Sequence, residues 1–523
     1  MSTEYWNFST DVMHEWARQH TDRPALYIVE PDGRRRQITF GVLGSVINQT
    51  VHYFRDHGIR PGDRVLVMLG KNPAFWPVMV ALLQMGAVPM PATTQLTDRD
   101  IHFRLSRAES QAAILLPEIA ARLSPDVKSL LNVRIAVGSV PDFDLYDPWQ
   151  LTTPTHLWSH PTRVDDPALL YFTSGTTGHP KMVLHTHEYP RAHHITASYW
   201  LGLTADDLHW NLSDTGWAKA AWSSLFGPWM VGATVLVDPL VGRFRPEDLV
   251  AILSREPVTS LCAPPTAYRM LVQLDLKPGQ FPALRSLAAA GEPLNPEIIA
   301  AMERMTGLTV RDGYGQTETV LLIGNPPGAP VKPGSMGRPA PPFTMAVLDD
   351  DGQPVVGREG DIALLVSPER PPGLFETYLG DPDEVAKRRR GPWYLTGDRA
   401  IQDDDGYFWF VGRADDVIIS AGYRIGPFEV ESALIEHPAV VEAAAVASPD
   451  PVRGAVVKAF VVLRPDVTPS DALIAELQEH VKKTTAPYKY PRRIEFVHEL
   501  PKTVSGKIRR VELREREWAT PPG

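Results

Sequence analysis

Residues 171–181 read YFTSGTTGHPK, and the construction of this stretch decides the class of fold. Its apolar lead-in, Ala168-Leu169-Leu170-Tyr171-Phe172, reads as a buried strand. The strand breaks into Thr173-Ser174-Gly175-Thr176-Thr177-Gly178, a loop of hydroxyls and glycines. Glycine takes positive φ without a Cβ clash, so successive backbone N–H groups turn inward as a nest for an anion. The hydroxyls add donors and Lys181 adds a mobile positive charge, which makes the loop a phosphate cradle. It differs from the P-loop G-x-x-x-x-G-K-[ST]: the spacing here is G-x-x-G-x-x-K, and Met182 follows the lysine. The bland alternative is an ordinary glycine-rich turn between strand and helix.

On either side of the loop the chain alternates strands and helices. Upstream, helical spacing covers 42–54, a short strand covers 64–69, a helix covers 75–85 and an extended run covers 88–91. Downstream come strand 234–237, helix 246–255, a strand around Cys262, helix 265–274 and strand 284–289. Such alternation predicts parallel sheets with helices on their faces, here as a two-lobed α/β body. From about Pro330 the texture changes to short β runs at 343–348, 361–366 and 407–411, separated by Asp/Gly turns. An independent α+β pattern follows, with a helix at 427–436, strands at 440–447 and 455–463, and a helix at 471–485. The expected architecture is a large two-lobed α/β N-terminal domain, 1–414, carrying a small β-barrel-like subdomain. A smaller α+β C-terminal domain occupies 415–523, with the boundary at Asp415.

Bulk properties narrow the function. The 523 residues, 43% hydrophobic and 22% charged, suit a globular protein with a large core. Net charge is 52 − 62 = −10, which argues against a nucleic-acid or membrane-surface protein. Residues 481–516 nevertheless hold 11 Lys/Arg against 4 Asp/Glu, a basic end suited to a phosphorylated small molecule or simply a solvated face. The single cysteine, Cys262, rules out an intrachain disulfide and a multi-cysteine metal site. The N-terminus shows no signal or transit pattern, and the longest apolar run, 76–92, is interrupted by Gln84, Gly86 and prolines. A soluble, cytoplasmic protein without an integral membrane segment is expected.

Four further stretches carry chemistry. Ala290-Gly291-Glu292-Pro293 ends a strand in a glycine turn, where α/β sheets bind ligands. Asp312-Gly313-Tyr314-Gly315-Gln316-Thr317-Glu318 offers an aromatic face, polar donors and carboxylates. Tyr394-Leu395-Thr396-Gly397-Asp398 ends another strand in a carboxylate able to accept from ribose hydroxyls. Pro501-Lys502-Thr503-Val504-Ser505-Gly506-Lys507 sets a lysine on a glycine loop. Each alone also reads as a β-turn, a capped helix start, a strand-end Asp or an exposed lysine; their joint order is the signal.

In that order the stretches resemble the adenylate-forming superfamily of acyl-CoA synthetases, peptide-synthetase adenylation domains and firefly-type luciferases. The resemblance runs from about residue 20 to the end and is closest to the medium-chain acyl-CoA synthetases. It extends to WNLSDTGW (210–217), GRADDVIISAGYRIGPFEVESAL (412–434), EHPAVVEAAAVASPDPVRGAVVKAFVVL (436–463) and TAPYKYPRRIEFVHELPKTVSGKIRR (485–510). It implies an acyl-AMP intermediate made from ATP, then a thioester made with coenzyme A, with Mg²⁺ as the metal. Residues 173–181 would grip the departing phosphates, and Glu318 with Thr176 would hold Mg²⁺. Tyr314 and the Gly291-Glu292-Pro293 backbone would sandwich adenine, and Asp312, Gly313, Gly315, Gln316 and Thr317 would complete the nucleotide loop. Asp398 would hold the ribose diol assisted by Arg413, and Arg424 would touch a phosphate. Lys507 would bridge the attacking carboxylate and the α-phosphate.

The resemblance also makes Asp415 the hinge about which a mobile C-terminal domain rotates between half-reactions. Rotation would bring Ala421-Gly422-Tyr423 to the site, while Gln95, Arg453, Tyr490 and Arg492 would contact the coenzyme. The acyl pocket would involve Trp217, Gly291, Gly315 and Thr317. Acetate-specific relatives carry Trp at the position of Gly315, so glycine is expected to leave space for a medium-chain or benzoate-like acid; Trp217 reads equally as core packing. Lys219 has no assigned role, and His185, His187, His193 and His194 read as structural or solvent-facing. The expected partners are the small molecules, a second copy in a homodimer, and a lysine acetyltransferase acting on Lys507, with no nucleic acid. Transfer to a carrier protein's phosphopantetheine and a non-catalytic nucleotide or acyl sensor remain the alternatives, and an oxygenating luciferase is not separated by motif.

Overall fold

A computed structural model of the chain describes residues 4–173, 180–238, 244–274, 276–420, 423–450, 453–502 and 507–519. The larger lobe is built on a nine-stranded sheet. Its middle is parallel: Pro24–Val29, Thr234–Val237, Leu208–Asn211, Ser260–Ala263, Ser286–Ala290 and Val310–Tyr314 lie side by side in that order. Short antiparallel strands close both edges. Strands Thr234–Val237, Ser260–Ala263 and Ser286–Ala290 are almost wholly buried and correspondingly apolar or small, as expected of strands covered on both faces. The second lobe is a five-stranded parallel sheet with Ala112–Leu115 at its centre, flanked by Arg64–Met68 and Val133–Ala136.

Helix Phe75–Gln84 lies between the lobes with every residue buried, which is why its sequence is apolar all round rather than striped. Trp76 donates its indole N–H to Ser224 O at 2.7 Å, so its polar atom is satisfied in the core. Burying such a side chain contributes about 1.5–3 kcal/mol. The loop-bearing strand Pro167–Thr173 pairs antiparallel with Lys181–Thr186 in a separate three-stranded sheet. The β-rich segment forms an antiparallel sheet of Met345–Leu348, Glu359–Leu365, Trp393–Gln402, Arg389–Arg390 and Phe408–Arg413.

The C-terminal unit packs helices Pro427–Glu436 and Asp471–Thr484 against the sheet of Val440–Asp450, Gly454–Leu463 and Arg493–Phe496. Inside it Glu431, almost fully buried, accepts from Ala445 N at 2.9 Å and takes a two-pronged bond from Arg510 at 2.9 and 2.5 Å. The unit touches the large domain through Asn295 Nδ2, which donates to Ser432 Oγ at 2.8 Å. Asp415 sits exposed in the turn after Phe408–Arg413, and its carbonyl accepts from Arg514 at 2.9 Å. Among the described residues no helix is long and apolar enough to cross a membrane.

Candidate active site

The C-terminal ends of adjacent parallel strands Ser286–Ala290 and Val310–Tyr314 bring the candidate residues together. At the first, Gly291 adopts φ +99°, a conformation that turns the chain sharply at Glu292-Pro293. Glu292 accepts from Thr266 at 2.8 Å and pairs with Arg269 at 3.0 Å. At the second, Asp312 is buried and accepts from the Gly313 N–H at 2.9 Å; burial holds its carboxyl well above the usual range. Tyr314 OH donates to Asp398 Oδ2 at 2.6 Å, and Gln316 Nε2 donates to the same oxygen at 2.7 Å. Asp398 stands opposite Arg413 in the strand register. Burial raises its carboxyl, opposed by Arg413, Tyr314, Gln316 and Lys507. Arg413 Nε is buried with no hydrogen-bond partner among the described residues.

Glu318 is buried and its Oε1 accepts from Tyr378 OH at 2.7 Å. Lys507 reaches this group from the C-terminal unit. Its side chain is solvent-accessible in the cleft, yet desolvation by the walls lowers its ammonium, opposed by Glu292, Asp398 and Glu318 and reinforced by Arg413. One cleft therefore gathers three carboxylates and two cations from segments more than two hundred residues apart in sequence.

Of the loop expected to cradle phosphate, Thr173 ends its strand, while Ser174, Gly175, Thr176, Thr177 and Gly178 lie outside the described residues, as do Ala421 and Gly422. Lys181 corrects the expectation of a mobile charge. Its ammonium pairs with Glu384 at 2.5 Å, and Lys181 and Lys387 together hold that carboxyl down at about 2. Arg424 is also not brought to the carboxylate cluster; it pairs with Asp350 at 3.3 Å in a turn of the β-rich subdomain. Gly315 is the third correction. A Cβ there would overlap the Trp222 indole and stand 2.5 Å from Val320 O, so the expected space is filled by Trp222. Trp222 is buried and donates its N–H to Tyr189 OH at 3.0 Å.

Trp217 is half-buried at the start of the short helix Ala218–Ala220. The residues expected at the coenzyme are dispersed. Tyr490 OH accepts from Arg492 at 2.8 Å, Tyr423 stacks on Tyr488 at 4.5 Å, Arg453 N donates to Asp450 at 2.9 Å, and Gln95 is exposed on the large domain. His185, His187 and His193 are buried and His194 is exposed. Burial lowers His185 to about 3, so its neutral ring donates from Nε2 to the Thr317 carbonyl at 2.7 Å and braces the 314–318 loop from behind. The sequence reading missed His185, Trp222 and Tyr378 as neighbours of this loop, because only tertiary folding brings them there.

The AMP-binding enzyme model matches residues 13–379, and the AMP-binding enzyme C-terminal domain model matches 429–507. The chain belongs to the AMP-binding enzyme family. It is 47% identical to the mitochondrial acyl-coenzyme A synthetase ACSM3 of Mus musculus, over 99% of this chain and 91% of that protein. It is 45% identical to the Homo sapiens ACSM3, over 99% and 90%. Among solved structures, the anthranilate CoA ligase AuaEII in complex with anthranoyl-AMP is 29% identical with a TM-score of 0.88, covering 99% of this chain and 98% of that one. The adenylating-enzyme fold, with a large N-terminal and a smaller C-terminal domain, is thereby established. The cytoplasmic expectation is overturned: the acyl-coenzyme A synthetases to which the chain is similar are mitochondrial.

Proposed function

We propose that this protein is an ATP-dependent, AMP-forming acyl-CoA synthetase acting on a medium-chain or related aromatic acid. The observation that carries the reading is Lys507, delivered by the C-terminal unit into the cleft of Asp398, Glu292, Glu318 and Arg413. The similarity to acyl-coenzyme A synthetases over nearly the whole chain supports it. In the first step a carboxylate oxygen of the acid attacks the α-phosphorus of ATP; the bond to the β-phosphate oxygen breaks and pyrophosphate leaves with the electron pair. In the second, the sulfur of coenzyme A attacks the acyl carbonyl, the C–O bond to AMP breaks, and the thiol proton is released.

Each residue has a part in this scheme. Asp398, with Oδ2 already fixed by Tyr314 and Gln316, offers its remaining acceptor capacity to the ribose hydroxyls. Arg413 lies opposite it, its Nε without a hydrogen-bond partner among the described residues. Lys507 neutralises charge where the carboxylate meets the α-phosphate. Glu318 fits a hard cation: a single buried carboxylate oriented by Tyr378 suits Mg²⁺, which keeps most of its waters and binds through one or two carboxylates plus phosphates. Mg²⁺ there would neutralise phosphate charge during the transfer. Residues 1–414 and 415–523 act as the two domains, Asp415 as the hinge, and Tyr423, Arg453, Tyr490, Arg492 and Gln95 as the coenzyme contacts in the rotated state.

The test is acid-dependent pyrophosphate release and thioester formation across chain lengths, in wild type and Lys507→Ala. The variant should lose adenylation roughly 10²–10³-fold, while thioester formation from preformed acyl-AMP is much less affected; unchanged adenylation would sink the assignment. Acetylation of Lys507, which would remove its charge, is checked by intact mass after acetyltransferase treatment, and a homodimer by sedimentation.

A further inference from the structure

Lys219 is a cation beside the cleft that the scheme above does not use. It lies in the short helix Ala218–Ala220, directly after Trp217. Its Nζ donates to Ala290 O at 2.7 Å, the last carbonyl of strand Ser286–Ala290. Its Cδ stands 3.8 Å from where a Cβ on Gly291 would be, so the stem lies along the corner assigned to adenine and acyl group. An ammonium has three donors, and Ala290 O is the partner recorded for this one among the described residues. Cys262 on the neighbouring strand is fully buried, and desolvation lowers Lys219, opposed by Cys262, Glu292 and Asp312 and reinforced by Lys507. Glu292 is already engaged by Arg269 and Thr266, so Lys219 is not needed to neutralise it. A backbone carbonyl alone is a weak reason to hold a charge in this half-buried place, since a neutral donor would satisfy it at lower desolvation cost.

We propose that Lys219 is a positioning residue for the acyl end of the substrate, holding the Ala290–Gly291 corner and orienting the acyl oxygen in both half-reactions. Lys507, in contrast, serves the first half-reaction only. This rests on the reading that the C-terminal unit withdraws between steps. Because Lys219 belongs to the large domain, its charge stays beside the corner when Lys507 leaves. The second step builds negative charge on the acyl oxygen, and a preorganised cation on a fixed wall favours that charge.

The experiment measures adenylation, and thioester formation from preformed acyl-AMP, in Lys219→Met, Lys219→Gln and Lys219→Arg, with Tm for each. Methionine keeps the stem and removes the charge; glutamine keeps a donor for Ala290 O without the charge. Both should lower kcat in both half-reactions by roughly tenfold or more, with KM for ATP little changed, and arginine should recover part of the loss. Thioester formation in Lys219→Gln within about twofold of wild type would overturn the proposal and leave Lys219 as a brace. Lys219→Gln serves equally should Lys219→Met fail to fold. Lys507→Ala run beside them separates the two ideas: if it slows both steps alike, the withdrawal reading fails whatever Lys219 does.

Discussion

Glu297 and Glu436 make the docking of the C-terminal unit dependent on pH. Glu297 lies half-buried in the first turn of helix Pro296–Thr306 on the large domain, and Glu436 ends helix Pro427–Glu436. Burial, then the neighbouring Glu436 carboxylate, raises Glu297 from 4.5 to about 7, and Glu297 Oε2 is buried with no hydrogen-bond partner among the described residues. His480 approaches Glu436 at 3.9 Å; it faces His437 and Lys483, and His437 pairs with Glu476 at 3.1 Å. Like carboxyls this close keep one proton between them. The proton is held only while the domains are docked. A carboxyl raised in the docked state therefore stabilises docking fully below 4.5, and that contribution is lost as pH rises through about 7. At 1.36 kcal/mol per unit the whole shift would be about 3 kcal/mol. Glu297 is only partly buried, so screening by solvent leaves about 1–2 kcal/mol, or roughly tenfold in the docking equilibrium. Energy transfer between dyes on the two domains reads this directly from about pH 5.5 to 8.5. Wild type should undock progressively over that range. Glu297→Gln, whose amide donates to Glu436 at any pH, should stay docked. A flat wild-type profile, or a variant with the wild-type slope, would refute the reasoning.

Two other perturbations test the packing around the site. Arg510→Ala leaves the buried Glu431 carboxylate without its two-pronged partner and should destabilise the C-terminal unit by about 3–5 kcal/mol; the unfolding transition by denaturant measures it, and an unchanged midpoint would contradict the burial. Trp222→Leu removes the indole that fills the space beside Gly315, so kcat/KM should move toward bulkier or longer acids, by about 0.8 kcal/mol for each newly buried CH₂. An unchanged chain-length profile would place the acyl tail elsewhere.

The elements that carry their own local signals were legible. Helices Pro246–Arg255 and Pro427–Glu436 were bounded to the residue, because proline marks the first turn and the apolar spacing marks the extent. The buried helix over Phe75–Gln84 followed from an apolar run too short and too broken to span a membrane. Two-residue strands such as Ile323–Gly324 and Arg338–Pro339 were not, since two residues carry no period and pair only because a neighbour offers a ladder. The candidate site divides in the same way. Tyr314, Asp398, Glu318 and Lys507 stand out as chemistry at loop ends, and the structure brings them into one cleft. What surrounds Gly315 could not be read from its own stretch, because Trp222 comes from another part of the chain. The pairing of Lys181 with Glu384 was hidden for the same reason.

The carboxylate of Asp398 belongs to the β-rich subdomain, whereas Tyr314 and Gln316 follow from the large parallel sheet. The bonds between them are thus rivets between two folding units as well as part of the proposed nucleotide site. Ligand affinity and subdomain cohesion draw on the same few atoms. A nucleotide that adds its own bonds to this seam would clamp the two units together and raise the temperature at which they part. Core substitutions far inside the β-rich subdomain would then register first as weakened nucleotide binding, before any loss of folded protein.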